Sequence, residues 1–181
     1  DVCSSDLCMQ INLSKRNAVL SGVAVLAALG GATVALRKQA SRLHFEAEQA
    51  LWSAEFDTPD GQILKMQNLQ GKPLVINFWA TWCAPCVEEM PLLDVFFRQN
   101  SPKGWQMVGL AIDQPSRVRQ YLNQNAISYP IGLAGMSGTN LGRLLGNEQG
   151  GLPFTVVLDA NGGLIQRKLG KLSAQEIQTW A

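Results

Sequence analysis

Hydrophobic and polar positions along this chain fall into blocks whose period changes from segment to segment. Pro73 to Trp79 is a β-branched and aromatic run suited to a buried strand, while Val87 to Gln99 carries Val87, Met90, Leu93, Phe96 and Phe97 at helical spacing. Pro91 inside that helix removes one backbone donor and should bend it. Trp105 to Ile112 reads as a second buried strand, Gln114 to Asn125 as a helix and Ser128 to Ile131 as a short strand. The Gly-rich stretch from Gly132 to Gly151 predicts a loop with one short helix around Leu141 to Leu145. Phe154 to Leu158 and Leu164 to Leu169 predict strands joined across Asp159 to Gly163, a hairpin turn by composition. Ser173-Ala174-Gln175-Glu176 is a capping box that opens a final helix containing Ile177 and Trp180. Upstream, Thr58-Pro59-Asp60-Gly61 is a turn signal between Trp52–Asp57 and Gln62–Met66, so a β-hairpin should precede the central strand. This order predicts an α/β domain, a central mixed β-sheet flanked by helices on both faces.

The first fifty residues have a different character. Asp1 to Leu7 reads as the translation of a sequencing-adapter oligonucleotide, so residues 1–8 are set apart as non-native and the chain proper is expected to start at Met9. Residues 9–17 form a short segment with Lys15 and Arg16. Residues 18–36 then run from Ala18 to Leu36 without a charge, long enough to span a bilayer as a single transmembrane signal-anchor. Small residues around Ala32 to Ala35 offer a cleavage alternative, but Arg37 follows directly and the run is long for a cleaved signal. Positive charges flank both ends, so charge alone does not orient the span. Residues 37–50 are expected to be a polar tether holding His44, and residues 51–181 the globular domain, with a C-terminus cut short at Ala181.

Composition narrows the function. With 46% hydrophobic residues in 181, there is material for one good core. A net charge of +1 and the lack of any basic patch interleaved with aromatics argue against nucleic acid as a partner.

Trp82-Cys83-Ala84-Pro85-Cys86 lies where the central strand runs into a helix, and two thiols at this spacing can close and reopen a small disulfide. Unpaired N–H groups and the dipole at a helix N-terminus stabilise a thiolate, which makes Cys83 the nucleophile and Cys86, one turn further in, the more buried partner. Ala84-Pro85 fits because the first turn of a helix tolerates proline. A structural zinc site would need four ligands, and beyond the pair the chain offers only His44 and the distant Cys3 and Cys8. A permanent staple across so short a loop would remove little chain entropy. No metal and no cofactor are expected.

The motifs Asn77-Phe78-Trp79-Ala80-Thr81-Trp82-Cys83-Ala84-Pro85-Cys86, Glu89-Met90-Pro91 and Gly151-Leu152-Pro153-Phe154-Thr155 together resemble the thioredoxin superfamily, and within it the membrane-anchored TlpA/ResA-like branch. The resemblance spans about Phe56 to Trp180 and implies a thioredoxin fold with an N-terminal β-hairpin. It implies that Pro153 forms a cis peptide bond facing the active-site disulfide, and that Glu89 matches an acid lying near the cysteine pair. The other reading of Glu89 is a solvent-facing helix carboxylate beside Glu88. Asn77 stands where many thioredoxins carry a buried carboxylate, so that proton-transfer group is expected to be absent. Trp79 and Trp82 are expected to shape the apolar rim around Cys83. Trp82, Ala84, Pro85 and Leu152 are expected to face substrate.

The resemblance further implies a thiol-disulfide oxidoreductase at the bacterial inner membrane, with its domain facing the periplasm or cell exterior. Its partners would be protein disulfide substrates and a membrane-embedded thiol electron donor, with clients in cytochrome c or copper-site assembly. A family pattern with Glu after the equivalent of Pro153 is altered here to Phe154. Two alternatives are a thiol peroxidase, which needs Thr-x-x-Cys where Thr81 lies only two residues before Cys83, and an anchored copper-handling module, which needs a His ligand that only His44 could supply.

Overall fold

The protein is described from a computed structural model covering residues 38–39 and 45–180. The compact unit begins at Phe45. It opens with a helix over residues 45–53 (α1), where a tether and then a strand were expected. The reason is a helical face with few apolar positions: Ala47 and Leu51, four residues apart, are buried, while Glu46, Glu48 and Gln49 stay outside. The polar residues disguise the face. Leu51 is 2% exposed and packs in a core cluster with Phe56, Met66 and Leu158.

The hairpin follows, with β1 (Glu55–Asp57) and β2 (Ile63–Lys65) antiparallel across the Thr58–Gly61 turn. Gly61 takes φ +84°, and Thr58 Oγ1 accepts from the Gln62 N–H at 2.9 Å. A 3-10 turn over Met66–Leu69 leads to β3 (Leu74–Trp79), the central strand. α2 (Ala84–Asn100) is longer than its apolar pattern predicts and continues through Pro91. β4 (Gln106–Ala111) and α3 (Pro115–Gln124) follow at the expected places. β5 occupies Ile131–Leu133 rather than Ser128–Ile131. Pro130 lacks the N–H a ladder needs and contributes only its carbonyl, which accepts from the Gly109 N–H at 2.9 Å.

α4 (Gly135–Leu144) replaces most of the loop predicted from the glycines. Gly138 and Gly142, four apart, lie on its buried face. A Cβ at Gly138 would come within 2.5 Å of Ala134 Cβ, so the glycine serves close packing rather than a turn. β6 (Phe154–Leu158), β7 (Leu164–Leu169) and α5 (Ala174–Gln178) complete the unit, with both halves of the Ser173–Glu176 capping box formed.

The described strands form one seven-stranded mixed sheet in the order β2-β1-β5-β4-β3-β6-β7. β3 is parallel to β4 and antiparallel to β6. All six residues of β3 are buried, as befits a strand covered on both faces. Val75 and Trp79 join a cluster with Met90 and Leu93 of α2, Val118 of α3 and Ile177 of α5. Leu74, Ile76 and Phe78 point the other way, toward Leu51 of α1 and Leu141 of α4. α5 is held onto α2 by Trp180 and Phe96, whose rings meet edge to face at 5.4 Å.

Among the described residues no helix is long and apolar enough to cross a membrane. The expected span 18–36, together with His44, Cys3 and Cys8, lies outside those residues.

Because α1 belongs to the core, Leu51→Ala should destabilise the domain by about 2–3 kcal/mol, the usual cost of truncating a buried leucine. Urea unfolding followed by tryptophan fluorescence measures this. A midpoint equal to that of the parent would show that residues 45–53 are a tether after all.

Candidate active site

The C-terminal ends of the parallel strands β3, β4 and β5 and the start of the antiparallel β6 fall on one edge of the sheet, and the cysteine motif sits there. After Trp79 the chain makes a turn closed by the Cys83 N–H donating to the Ala80 carbonyl at 3.2 Å. Cys83 is the N-cap of α2, with extended backbone (φ −92°, ψ 96°), and its carbonyl accepts from the N–H groups of Cys86 and Val87 at 3.0 and 3.2 Å. Pro85 occupies the first turn, where its missing N–H costs nothing. Cys83 and Cys86 are joined as a disulfide with a Cα–Cα separation of 5.3 Å. Cys83 is 6% exposed and Cys86 fully buried, the order the helical position dictates. No acidic residue stands in the first turn of α2, so nothing there opposes the partial positive charge that favours a thiolate.

The turn is fastened from β4. The Thr81 N–H and Oγ1 both donate to Asp113 Oδ2, the former at 2.9 Å, and the Gln114 N–H donates to Asp113 Oδ1 at 2.7 Å. Burial pushes the Asp113 carboxyl up. Its hydrogen bonds from Thr81 and Gln114 and the charge of Arg117 outweigh that, leaving it below the ordinary 3.8. Sequence reasoning missed this residue, because an Asp after a strand carries no signal of what it will reach.

Behind the disulfide lies a buried polar cluster. Glu89, on the same face of α2 as Cys86 one turn later, is fully buried, so the solvent-facing reading is excluded. Its Oε1 accepts from Asn77 Nδ2 at 2.8 Å and its Oε2 from the Leu172 N–H at 2.7 Å. Asn77 Nδ2 also donates to Thr155 Oγ1 at 3.0 Å. Position 77 carries an amide and no carboxylate; the buried carboxylate comes from α2, and the amide of Asn77 supports it from β3. Desolvation raises the Glu89 carboxyl above its ordinary 4.5, against the opposing pull of the Leu172 N–H, the Asn77 amide and the Lys171 charge. Next to it, exposed Glu88 pairs with Lys171.

The remaining sequence-predicted residues take distinct places. The Leu152–Pro153 peptide is cis. Phe154 pairs with Phe78, so by register Pro153 stands beside Trp79, at the end of β3 that leads into the motif. Pro153 is buried, and Leu152 is half-buried against the cluster that contains Cys83. Ala84 and Pro85 are exposed. Trp82 is 64% exposed, on the wall of an open groove of about 520 Å³ shared with Ile112, Asp113, Arg117 and Met136. Trp79, expected at the rim, is instead fully buried and packs against Tyr121, the ring centroids 5.3 Å apart and the planes tilted by 54°. Its place in the strand pleat points it into the core. Among the described residues no three His, Cys, Asp or Glu side chains are grouped as a metal site requires.

A family profile described as Redoxin matches residues 46–179. The chain is 25% identical over 121 residues to the thiol-disulfide oxidoreductase ResA of Bacillus thuringiensis (strain Al Hakam), covering 66% of this chain and 67% of that protein. It is 33% identical over 122 residues to the thiol:disulfide interchange protein DsbE of Vibrio cholerae serotype O1, covering 65% and 61% respectively. Among solved structures, a thiol:disulfide interchange protein of the thioredoxin family from Chlorobium tepidum TLS superposes with a TM-score of 0.63 at 28% identity, over 70% of this chain and 89% of that one. The fold is thus thioredoxin-like, and the chain belongs to the Redoxin family.

Proposed function

We propose that this protein is a thiol-disulfide oxidoreductase of the ResA/DsbE type that exchanges electrons with protein disulfides through Cys83 and Cys86. The observation that carries this reading is the Cys83–Cys86 disulfide at the N-terminus of α2, with its outer sulfur at the N-cap. In the reducing direction, the Cys83 thiolate attacks a substrate disulfide, forming a mixed disulfide and expelling one substrate thiolate. Cys86 then attacks the Cys83 sulfur, releasing the second substrate thiol and leaving the enzyme oxidised. Two electrons pass from the dithiol to the substrate, and a donor of the same chemistry must return them.

Cys86 is buried when it must give up its proton, and water has no direct access. Glu89, three residues on, is the carboxylate placed to accept it, since residues so spaced are neighbours on a helix. An incoming client meets Trp82, Ala84 and Pro85 on the exposed side. Leu152 supports docking of an extended segment, because its N–H and C=O enter no backbone hydrogen bond among the described residues.

The reading extends to the membrane. Residues 18–36 act as a single-pass anchor, residues 1–8 are foreign to the protein, and the domain works on the outer side of a bacterial inner membrane. There a membrane-embedded dithiol supplies electrons, and the clients are cysteines of cytochrome c or copper-site assembly. The uncharged length of 18–36 and the motif resemblance to the membrane-anchored TlpA/ResA-like branch support this.

Cys86→Ser should accumulate a mixed disulfide with client protein on non-reducing gels, and Cys83→Ser should not. Equal trapping by both variants sinks the assignment of the nucleophile.

Carbonate-washed membranes should retain the full chain, with its domain open to external protease. A soluble form beginning near Arg37 would show cleavage instead.

Glu89→Gln should slow resolution of the mixed disulfide by about a hundredfold, a typical loss for a proton-transfer group. Its stability carries a second signature. The folded-state carboxyl titrates above the unfolded one, so the stability given by protonated Glu89 is complete below about pH 4.5 and is lost as pH rises through the raised folded value. The stability of the parent relative to Glu89→Gln should therefore fall as pH rises above about 4.5 in urea unfolding. A flat difference would place the carboxyl in an ordinary environment.

A further inference from the structure

The turn that delivers Cys83 contains no residue that would fix its shape. Ala80-Thr81-Trp82-Cys83 lacks the Gly, Pro, Asn or Asp that ordinarily sets a tight turn. Its conformation must be imposed from outside, and the described contacts show where. Thr81, second in the turn, is held twice by Asp113 Oδ2, through its N–H at 2.9 Å and through its hydroxyl. Asp113 is itself fixed to the sheet. Its Oδ1 accepts from the Gln114 N–H at 2.7 Å, and the preceding Ile112 N–H donates to the Trp79 carbonyl at 2.8 Å, tying the ends of β3 and β4 together just before the turn. Trp82, third in the turn, stands in solvent. Cys83, fourth, is the cap of α2.

The geometry points to Asp113 as a positioning residue for Cys83: acting through Thr81, it holds the Ala80–Cys83 turn so that the attacking sulfur is presented at the N-terminus of α2. This rests on the proposed role of Cys83 as nucleophile. The stabilisation of a thiolate at a helix end falls away within one turn, so a small shift of the cap weakens it. The two hydrogen bonds from Thr81 also keep the carboxylate ionised over the working range, so the hold does not loosen near neutral pH.

The test compares Thr81→Val with Thr81→Ser in the reduced full-length chain. Both keep the charged groups on the neighbouring elements: Asp113, Arg117 of α3, Glu88 and Glu89 of α2, and Lys171. Valine replaces the Thr81 hydroxyl with a methyl group, and serine keeps the hydroxyl while losing the methyl. Alkylation of Cys83 by iodoacetamide is followed across pH by mass spectrometry, with urea unfolding measured alongside. Thr81→Val should move the midpoint to higher pH and slow alkylation at pH 7 about fivefold, the scale of a helix-end interaction. Thr81→Ser should follow the parent. Should the valine variant prove insoluble, Thr81→Ala removes the same hydroxyl and is read in the same way.

A valine or alanine profile that superimposes on the parent, even with lowered stability, overturns the proposal and leaves Asp113 as scaffold. So does a serine variant as slow as the valine. Failure of the underlying reading looks different: Cys83 of the parent would then alkylate no faster than Cys86 at any pH, before any variant is compared.

Discussion

One carboxylate buried without a full counter-charge sets the terms for the rest of this domain. Glu89 sits out of water in the interior, where an ion is costly unless its oxygens are satisfied. Each oxygen finds a donor, one from the Asn77 amide on β3 and one from the Leu172 N–H in the segment between β7 and α5. The first spans 12 residues of chain and the second 83. The link between Glu88 and Lys171 repeats the connection one residue earlier, at the surface. The segment 171–173 is further ordered by the capping box of α5, whose Glu176 also pairs with Lys168 on β7. Satisfying Glu89 thus brings α2, the central strand and the last helix into a fixed relation.

The same arrangement divides the electrostatics of α2 along its length. At its first turn, the helix dipole presents partial positive charge to Cys83, and no acid dilutes it. One turn further in, the buried carboxylate of Glu89 lies beyond Cys86 and disfavours a second negative charge beside it. The outer sulfur is thereby suited to be an anion and the inner one a thiol that needs a base. Two cysteines three residues apart acquire opposite tendencies from the helix that carries them.

Much of this was legible in the sequence, and what was not has identifiable causes. The strand from Leu74 to Trp79, the cysteine turn, the hairpin at Thr58–Gly61 and the capping box at Ser173 all rest on local chemistry, and all stand where expected. α1 was hidden because a helix that buries only Ala47 and Leu51 deeply looks polar when read in line. α4 was hidden because Gly138 and Gly142 signal loop in composition, while in space both lie on the buried face of the helix. The deep burial of Glu89 and the hold of Asp113 on Thr81 depend on residues brought together across the fold, at separations no periodicity reports. Cys83, Cys86, Glu89 and Pro153 could be named from motifs. The order of burial of the two cysteines followed from the helix, whereas the full burial of Glu89 did not.

The docking of α1 onto the core also changes the scale of the tether. With residues 18–36 in the bilayer, as proposed, a domain starting at Leu51 would hang on fourteen residues, which extend to about 50 Å. A domain starting at Phe45 would hang on eight, which reach about 29 Å at full stretch. Under that proposal the cysteine end of the sheet would work close to the lipid surface, encounters with other membrane-bound chains would become a search in two dimensions, and a freely diffusing protein would have to come to the surface to be served.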